Sequence, residues 1–244
     1  MEASIPVPRY PGTQGALWDH PPRDFDEAVR EWVERSGGVL WFVVEFHWGI
    51  HQSRRGAYHA MNLKEILRTL MARMREKGVE FALSGGLALS TMGVFRFTND
   101  LDFVVPEEFR ETVDEIMRAL GYEKQEFSTD EIVSYLSPLK VFGQVDFLLA
   151  RRKYSRAMLQ RAREAPLFDG QLAVRTLLPE DLIGLKVQAI HNDPRNRLLV
   201  DAPDIQRILD QHRDTMDMEL VREYFCLFGK EALLDEWLSD LERR

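Results

Sequence analysis

Two short segments, Leu83-Ser-Gly-Gly86 and Asn99-Asp-Leu-Asp-Phe103, decide how this chain folds. The first follows a strand predicted over 79–83 and turns tightly into a helix predicted over 87–92. Glycines permit a close approach to the backbone, and a helix N-terminus presents free N–H groups to an anion. The segment therefore predicts a phosphate-binding turn, although Ser-Gly-Gly taken alone is more often an ordinary turn.

Asp100 and Asp102 flank a leucine at the start of a strand predicted over 101–105. Alternate residues of a strand point to the same side, so both carboxylates should share one face. Asp146 lies in the apolar strand Val145-Asp-Phe-Leu-Leu149, where an acid is costly unless it is paired or binds metal. Three converging carboxylates would suit two Mg²⁺ ions, or Mn²⁺ in their place. Taken separately, the first two acids could mark a solvated turn, and Asp146 could face solvent on an edge strand.

The order of these features resembles the nucleotidyltransferase superfamily related to DNA polymerase β. That signature is a strand, Gly-Gly, a spacer, Asp-x-Asp and a later acid, and here the spacer is 87–99. The segment Arg96-Phe-Thr-Asn-Asp-Leu-Asp102 resembles the Arg-x-Thr-x-Asp-x-Asp form of bacterial members, which include the AbiEii-like toxins of toxin–antitoxin systems. The resemblance covers about residues 63–210 and implies an α+β fold, with a mixed sheet, flanking helices and a helical C-terminal region.

The resemblance also implies a reaction, the transfer of a nucleoside monophosphate from an NTP to an acceptor with release of pyrophosphate. The metal-binding, catalytic residues would be Asp100, Asp102 and Asp146. The residues near the nucleotide would be Ser84, Gly85, Gly86, Arg96, Thr98, Lys186 and Asp204. For Arg96 and Thr98, which just precede the acids, solvation of a loop is the alternative.

A second block carries the last two of these assignments. The segments Glu180-Asp-Leu-Ile-Gly-Leu-Lys186 and Asp201-Ala-Pro-Asp-Ile205 resemble the Leu-x-x-Leu-Lys … Asp-x-x-Asp-Ile/Leu helical block of the AbiEii-like group. In that group the lysine contacts nucleotide phosphates, and Asp201 or Asp204 would be the functional acid here. Val200 stands where the group has arginine, and Arg195 or Arg197 would have to replace it.

The residues of this block also have interpretations that involve no role in binding or catalysis. Lys186 could be a surface residue whose stem covers an amphipathic helix. Asp204 could solvate its helix, or pair with Arg197 or Arg207.

The remaining pattern predicts a mixed α/β half followed by a helical half. Strands are predicted over 132–136, 141–149 and 172–177, and helices over 61–78, 106–120, 151–164, 179–191, 201–210, 217–228 and 230–241. The first 60 residues hold five of the eleven prolines, with a short helix predicted over 24–35, a strand over 39–46 and a linker over 51–58. We therefore expect an accessory extension (1–60), a nucleotidyltransferase core (61–178) and a helical region (179–244).

The composition disfavours some classes of protein and indicates a cellular compartment. The chain has 244 residues and a net charge of −8, which disfavours a globally basic nucleic-acid binder. Its most apolar run, 39–50, is shorter than the about 20 residues that span a bilayer. The single cysteine, Cys226, cannot form an intramolecular disulfide, so we expect a cytoplasmic protein, with Cys226 in the core.

The sequence does not identify the acceptor of the transferred nucleotide. RNA such as tRNA could bind near a basic set that is otherwise a solvated helix face: Arg151, Arg152, Lys153, Arg156, Arg161 and Arg163. The alternatives are an adenylyltransferase that acts on an aminoglycoside-type small molecule, and a non-catalytic nucleotide- or partner-binding module of a toxin–antitoxin pair. A cognate antitoxin is a further expected partner.

Overall fold

A mixed sheet of seven strands forms the centre of the part of the chain that the structure describes. The computed structural model describes residues 55–95, 98, 100–126, 128–137 and 143–243. The strands are β1 (Ala82–Ser84), β2 (Leu101–Pro106), β3 (Glu123–Lys124), β4 (Ile132–Leu136), β5 (Gln144–Ala150), β6 (Arg163–Leu167) and β7 (Leu172–Thr176). They are ordered β3-β4-β5-β2-β1-β7-β6. The predictions for 24–35 and 39–46 lie outside the described residues.

Helices flank this sheet and make up the C-terminal part of the chain. They are α1 (Arg55–Glu76), α2 (Gly85–Ser90), α3 (Arg110–Ala119), α4 (Lys153–Arg161), α5 (Pro179–Asn192), α6 (Pro194–His212), α7 (Met218–Leu227) and α8 (Glu231–Glu242). A 3₁₀ turn, Glu107–Phe109, precedes α3. In the part of the chain that the structure describes, no helix combines the length and apolar character needed to cross a membrane. The predicted α+β fold with a mixed sheet is confirmed.

The two central strands, β2 and β5, carry the core. They run parallel in register from Leu101 opposite Val145 to Pro106 opposite Ala150. Leu101, Phe103, Val104 and Val105 are buried, because helices α2 and α4 pack against this interior strand. The rings of Phe103 and Phe147 stack with their centroids 5.4 Å apart. Burial of these apolar side chains is the main favourable term that holds the two strands together.

Helix α1 begins earlier than the sequence indicates. It starts at Arg55, so the predicted linker over 51–58 is wrong for its last four residues, and the helix crosses the predicted domain boundary at residue 60. Its apolar residues Leu67, Leu70, Met71 and Met74 recur at helical spacing and are all buried. The division into three regions stays a prediction.

The end of the predicted basic helix is wrong. Helix α4 stops at Arg161, and Arg163–Leu167 forms β6 instead. This strand lies at the edge of the sheet and pairs with β7, with Pro166 opposite Ala173. An edge strand tolerates a proline and charged residues because one side of its backbone has no strand to bond. The sequence pattern therefore looked helical where tertiary pairing produced a strand.

The expectation that Cys226 lies in the core is wrong, because Cys226 is exposed. Helix α7 buries Val221, Tyr224 and Phe225, and the 3.6-residue period turns Cys226 away from that face. A hydrogen bond with Glu231 raises the pKa of the Cys226 thiol. Its neighbours in the sequence are apolar, but Tyr224 and Phe225 lie on the buried face of the helix and Cys226 lies on the exposed face.

Candidate active site

Three polar residues form one row across the sheet. Ser84 on β1 is opposite Asp102 on β2, and Asp102 is opposite Asp146 on β5. Register partners on neighbouring strands project to the same face of a sheet. All three line a single cleft of about 470 Å³, which we call the acid cleft. The sequence placed Asp102 and Asp146 on strands, and the parallel pairing of β2 with β5 makes them neighbours.

Gly85 is the residue that lets the backbone approach this row. Its φ is +62°, in the left-handed region that favours glycine. A Cβ at this position would lie 1.8 Å from Oδ2 of Asp102 and 2.3 Å from its Cγ. Any side chain would therefore occupy the space of the Asp102 carboxylate. Of the predicted turn residues, Ser84 and Gly85 line the acid cleft, and Gly86 is buried in α2.

Asp100 reaches the same cleft from just before β2. Asp100 and Thr98 both line it, and the backbone N–H of Asp100 donates to the Thr98 hydroxyl at 3.4 Å. The predicted nucleotide contact Arg96 lies outside the described residues. Thr98 therefore contacts the backbone just before β2 through a hydrogen bond.

The donor set is suited to a hard cation. Carboxylate oxygens are the ligands that Mg²⁺ and Mn²⁺ prefer, and Asp100, Asp102 and Asp146 supply them to one cleft. Within residues 55–95, 98, 100–126, 128–137 and 143–243, no three His, Cys, Asp or Glu side chains are grouped closely enough to hold a metal ion. Metal binding by the three acids therefore stays a prediction.

Gln144 is a site residue that the sequence analysis missed. Its Nε2 donates to both carboxylate oxygens of Asp146, at 2.9 and 3.0 Å. The two residues are i and i+2 on β5, so they share a face of the strand. That spacing was visible in the sequence and could have indicated the pair. The amide orients the Asp146 carboxylate without adding charge.

Lys186 is held between two aspartates. Its Nζ donates to Oδ1 of Asp201 at 2.7 Å and to Oδ2 of Asp204 at 2.8 Å. All three residues are buried, so the interpretation of Lys186 as a surface residue is wrong. Lys186 and Asp201 line the acid cleft, whereas Asp204 is absent from its described lining. Asp204 therefore contacts Lys186 from outside the described lining of the cleft, and the contacts of Lys186 with phosphate and of Asp204 with the nucleotide stay predictions.

Arg197 adds a second positive charge at this edge of the cleft. Its Nε lies 3.1 Å from Oδ2 of Asp201, and about half of its side chain is exposed. That carboxylate oxygen is buried and makes no hydrogen bond in the described structure. Val200, at the position where the resemblance expects arginine, also lines the cleft. Arg197 itself lines the cleft, one helical turn before Val200 on α6, and its replacement of the missing arginine stays a prediction.

A charge network around the buried carboxylate of Asp181 joins α5 to α4 and α7. Arg161 donates to the fully buried carboxylate of Asp181 at 2.6 and 3.3 Å. The Tyr224 hydroxyl donates to the same carboxylate at 2.7 Å. Burial, together with the charge of Asp181, raises the pKa of Tyr224, and the hydrogen bond to Asp181 raises the pKa of Arg161. The network fixes the helix that carries Lys186, because breaking a buried pair leaves an uncompensated charge.

The basic set predicted to meet RNA is largely engaged with acids. Arg161 belongs to the buried network, and Arg156 donates to Glu108 in a paired arrangement at 2.8 and 3.1 Å. Four of the six residues form ion pairs with acids: Arg151, Arg152, Arg156 and Arg161. An RNA contact across the whole set stays a prediction.

The sequence comparison decides the family. Residues 68–243, more than two thirds of the chain, match the family described as "Nucleotidyl transferase AbiEii toxin, Type IV TA system". The chain belongs to this AbiEii family. The resemblance drawn from the Gly-Gly turn and the acids is therefore confirmed. No curated protein matches the sequence.

Solved structures confirm the nucleotidyltransferase fold of this AbiEii member. The crystal structure of ANT(2'')-Ia in complex with adenylyl-2''-tobramycin is 15% identical, with a TM-score of 0.52, and the match covers 69% of this chain and 97% of that one. The solution structure of the antibiotic-resistance factor ANT(2'')-Ia is 14% identical, with a TM-score of 0.50, and covers 73% and 94%. At such identities the likeness concerns the fold alone.

Proposed function

We propose that this protein transfers a nucleoside monophosphate from an NTP to a hydroxyl or phosphate of an acceptor and releases pyrophosphate. Family membership supports the reaction class. The observation that carries the proposal is the register of β2 and β5, which sets Asp102 directly beside Asp146 in the acid cleft. The close approach of Gly85 to Asp102 leaves this carboxylate against bare backbone.

Each group of residues in the acid cleft has its own role in the proposed transfer. An acceptor oxygen bonds to the α-phosphorus while the bond to pyrophosphate breaks, and the proton leaves through Asp146, which Gln144 orients. Asp100, Asp102 and Asp146 would hold Mg²⁺, which supplies charge neutralisation when bound. Ser84 and Gly85 would lie along the β- and γ-phosphates. Such a transfer depends mainly on positioning and electrostatics.

Lys186 and Arg197 supply the positive side of the cleft. The two aspartates that bind Lys186 fix the position of its ammonium group, and Asp201 also holds Arg197. A fixed cation costs little reorganisation when charge develops on the leaving pyrophosphate. We propose that Lys186 contacts these phosphates and that Asp204 acts through Lys186 as a positioning residue.

The test is transfer of label from each α-³²P-NTP, with Mg²⁺, into total RNA and into a separate small-molecule pool. Asp102→Asn and Asp146→Asn should each lower transfer by at least about 10²-fold, since each removes charge stabilisation aimed at the reacting centre. The matched control is Asp235→Asn, which removes an exposed, ion-paired carboxylate on α8 and should leave transfer unchanged. Equal transfer by all three variants would refute the site.

A second candidate is a small-molecule adenylyltransferase. Its support is the fold shared with ANT(2'')-Ia, whose crystal structure contains adenylyl-2''-tobramycin. Label that enters the small-molecule pool, and stays out of RNA, would favour this candidate. The family description also leads us to propose a toxin role with a cognate antitoxin in the cytoplasm. Growth arrest on expression, abolished by Asp102→Asn, would test that role.

A further inference from the structure

The carboxylate of Asp146 is turned toward a neighbouring amide. Nε2 of Gln144 lies 2.9 Å from one of its oxygens and 3.0 Å from the other. An ionised carboxylate only accepts hydrogen bonds, so the amide presents its donor nitrogen to it. Gln144 is absent from the described lining of the acid cleft, whereas Asp146 lines it. Both oxygens of Asp146 therefore face a residue outside that lining.

The two nearly equal distances matter because a chelated cation has the same relation to a carboxylate. A cation that binds both oxygens lies at similar distances from them and uses the lone pairs that a hydrogen-bond donor would use. An amide that supports a metal ligand instead contacts one oxygen and leaves the other for the metal. Nε2 of Gln144 contacts both oxygens of Asp146. The amide therefore competes with a cation for this carboxylate.

The arrangement of the acids agrees with such a competition. Asp102 and Asp146 are register partners on β2 and β5, at the spacing of neighbouring strands, about 4.8 Å. Nevertheless, the described part of the chain contains no group of three His, Cys, Asp or Glu side chains that could hold a metal ion. The backbone thus places the two acids side by side, while the carboxylate of Asp146 is held toward Gln144.

Like charge explains why a neutral amide suits this position. Two carboxylates directly opposite each other on neighbouring strands repel each other unless a cation lies between them. The Gln144 amide gives Asp146 a hydrogen-bond donor on its own strand, and it adds no charge to the acid cleft. The contact therefore stabilises Asp146 beside Asp102 in direct competition with a cation.

We propose that Gln144 competes with a divalent cation for Asp146 and so sets the affinity of this part of the metal site. The amide leaves Asp146 when both oxygens bind the cation, and it moves onto one oxygen when the cation binds the other. In either case at least one of the two contacts is lost. Gln144 is thus a positioning residue that acts through Asp146. The inference rests on the proposed function, which assigns the metal to Asp100, Asp102 and Asp146.

The test is binding of Mn²⁺ alone, without NTP, measured from the EPR signal of the free ion. Gln144→Met keeps the length of the side chain and removes its donor, so Mn²⁺ no longer competes with the amide. We expect Mn²⁺ to bind about tenfold more tightly, because a hydrogen bond to a charged group corresponds to at least that factor. Gln144→Leu, whose side chain has a different shape, should show the same gain.

Two controls show whether the gain acts through Asp146. In the double variant Gln144→Met/Asp146→Asn the gain should disappear, because the carboxylate that the first substitution releases is no longer there. Gln125→Met is the matched control, since Nε2 of Gln125 also donates to an oxygen two residues away, the carbonyl oxygen of Glu123, at 3.1 Å. Gln125 is absent from the described lining of the acid cleft, so this variant should keep the Mn²⁺ affinity of the unmodified protein. Thermal unfolding checks that each variant is folded.

The outcomes separate this proposal from the proposed function. An unchanged Mn²⁺ affinity in both Gln144 variants, or the lack of any Mn²⁺ binding that depends on Asp146, would overturn the proposal even if transfer is normal. A loss of about 10- to 100-fold would overturn it as well, since that is the effect of removing a residue that supports a bound metal ligand. Tighter Mn²⁺ binding without any nucleotide transfer would support the role of Gln144 and refute the proposed reaction.

Discussion

Gly85→Ala tests the close packing at the centre of the acid cleft. The new Cβ would lie 1.8 Å from the Asp102 carboxylate oxygen, whereas real Cβ contacts are essentially never shorter than 3.0 Å. The carboxylate or the turn must therefore move by about 1.2 Å. A displacement of this size at a reacting centre costs about 10²-fold in rate.

Gly78→Ala is the matched control for this substitution. Gly78 has a φ of +67°, close to the +62° of Gly85, but a Cβ there would have no neighbour within 4 Å. Both substitutions carry the backbone cost of a left-handed alanine, about 1–2 kcal/mol. At about 2–4 °C per kcal/mol for a chain of this size, we expect Gly78→Ala to lower the melting temperature by roughly 2–8 °C.

The assay is label transfer from the α-³²P-NTP, with thermal unfolding of the same samples. Gly85→Ala should lose about 10²-fold in transfer and at least as much stability as Gly78→Ala, which should keep its activity. If Gly85→Ala transfers label within threefold of Gly78→Ala, then Asp102 does not act from the position that the structure gives it. That result would refute the assignment of Asp102.

Three further predictions concern the supporting structure. Gly184→Ala should push the Tyr224 ring off α5, and this overpacking should lower the urea unfolding free energy by about 1–3 kcal/mol; an unchanged midpoint would contradict it. Lys186→Met should cost about 3–5 kcal/mol by removing the buried ammonium group that pairs with Asp201 and Asp204, and a loss below about 1 kcal/mol would show that Arg197 and Arg207, which also pair with these carboxylates, compensate. Burial is the largest single effect and raises the pKa of Asp114, but the hydrogen bond from the Tyr135 hydroxyl and the charges of Lys124 and Arg118 together outweigh it and lower that pKa. The stability that Asp114 adds over Asp114→Asn should therefore be present above about pH 4, its unfolded value, and should disappear as the pH falls through the lower folded pKa; a constant difference in acid unfolding curves would argue against the pairing.

Local chemistry allowed much of this protein to be predicted. The Gly-Gly turn, the alternation around Asp100 and Asp102 and the apolar strand around Asp146 depend on backbone freedom and on strand periodicity, which act over a few residues. The same short-range patterns indicated the AbiEii family and the helical C-terminal region. Cys226 and the strand at Arg163–Leu167 were misread, because burial on one helix face and pairing at a sheet edge depend on distant neighbours.

Tertiary structure alone decided how the candidate site residues meet. The parallel pairing of β2 with β5 set Asp102 beside Asp146, and the packing of α6 on α5 enclosed Lys186 between Asp201 and Asp204. Gly85 was recognisable as a turn residue, yet only the fold showed that its missing side chain leaves room for the Asp102 carboxylate. The physical reason is that sequence spacing specifies the direction of a side chain on its own element, whereas its partner is chosen by the packing of elements far apart in the chain.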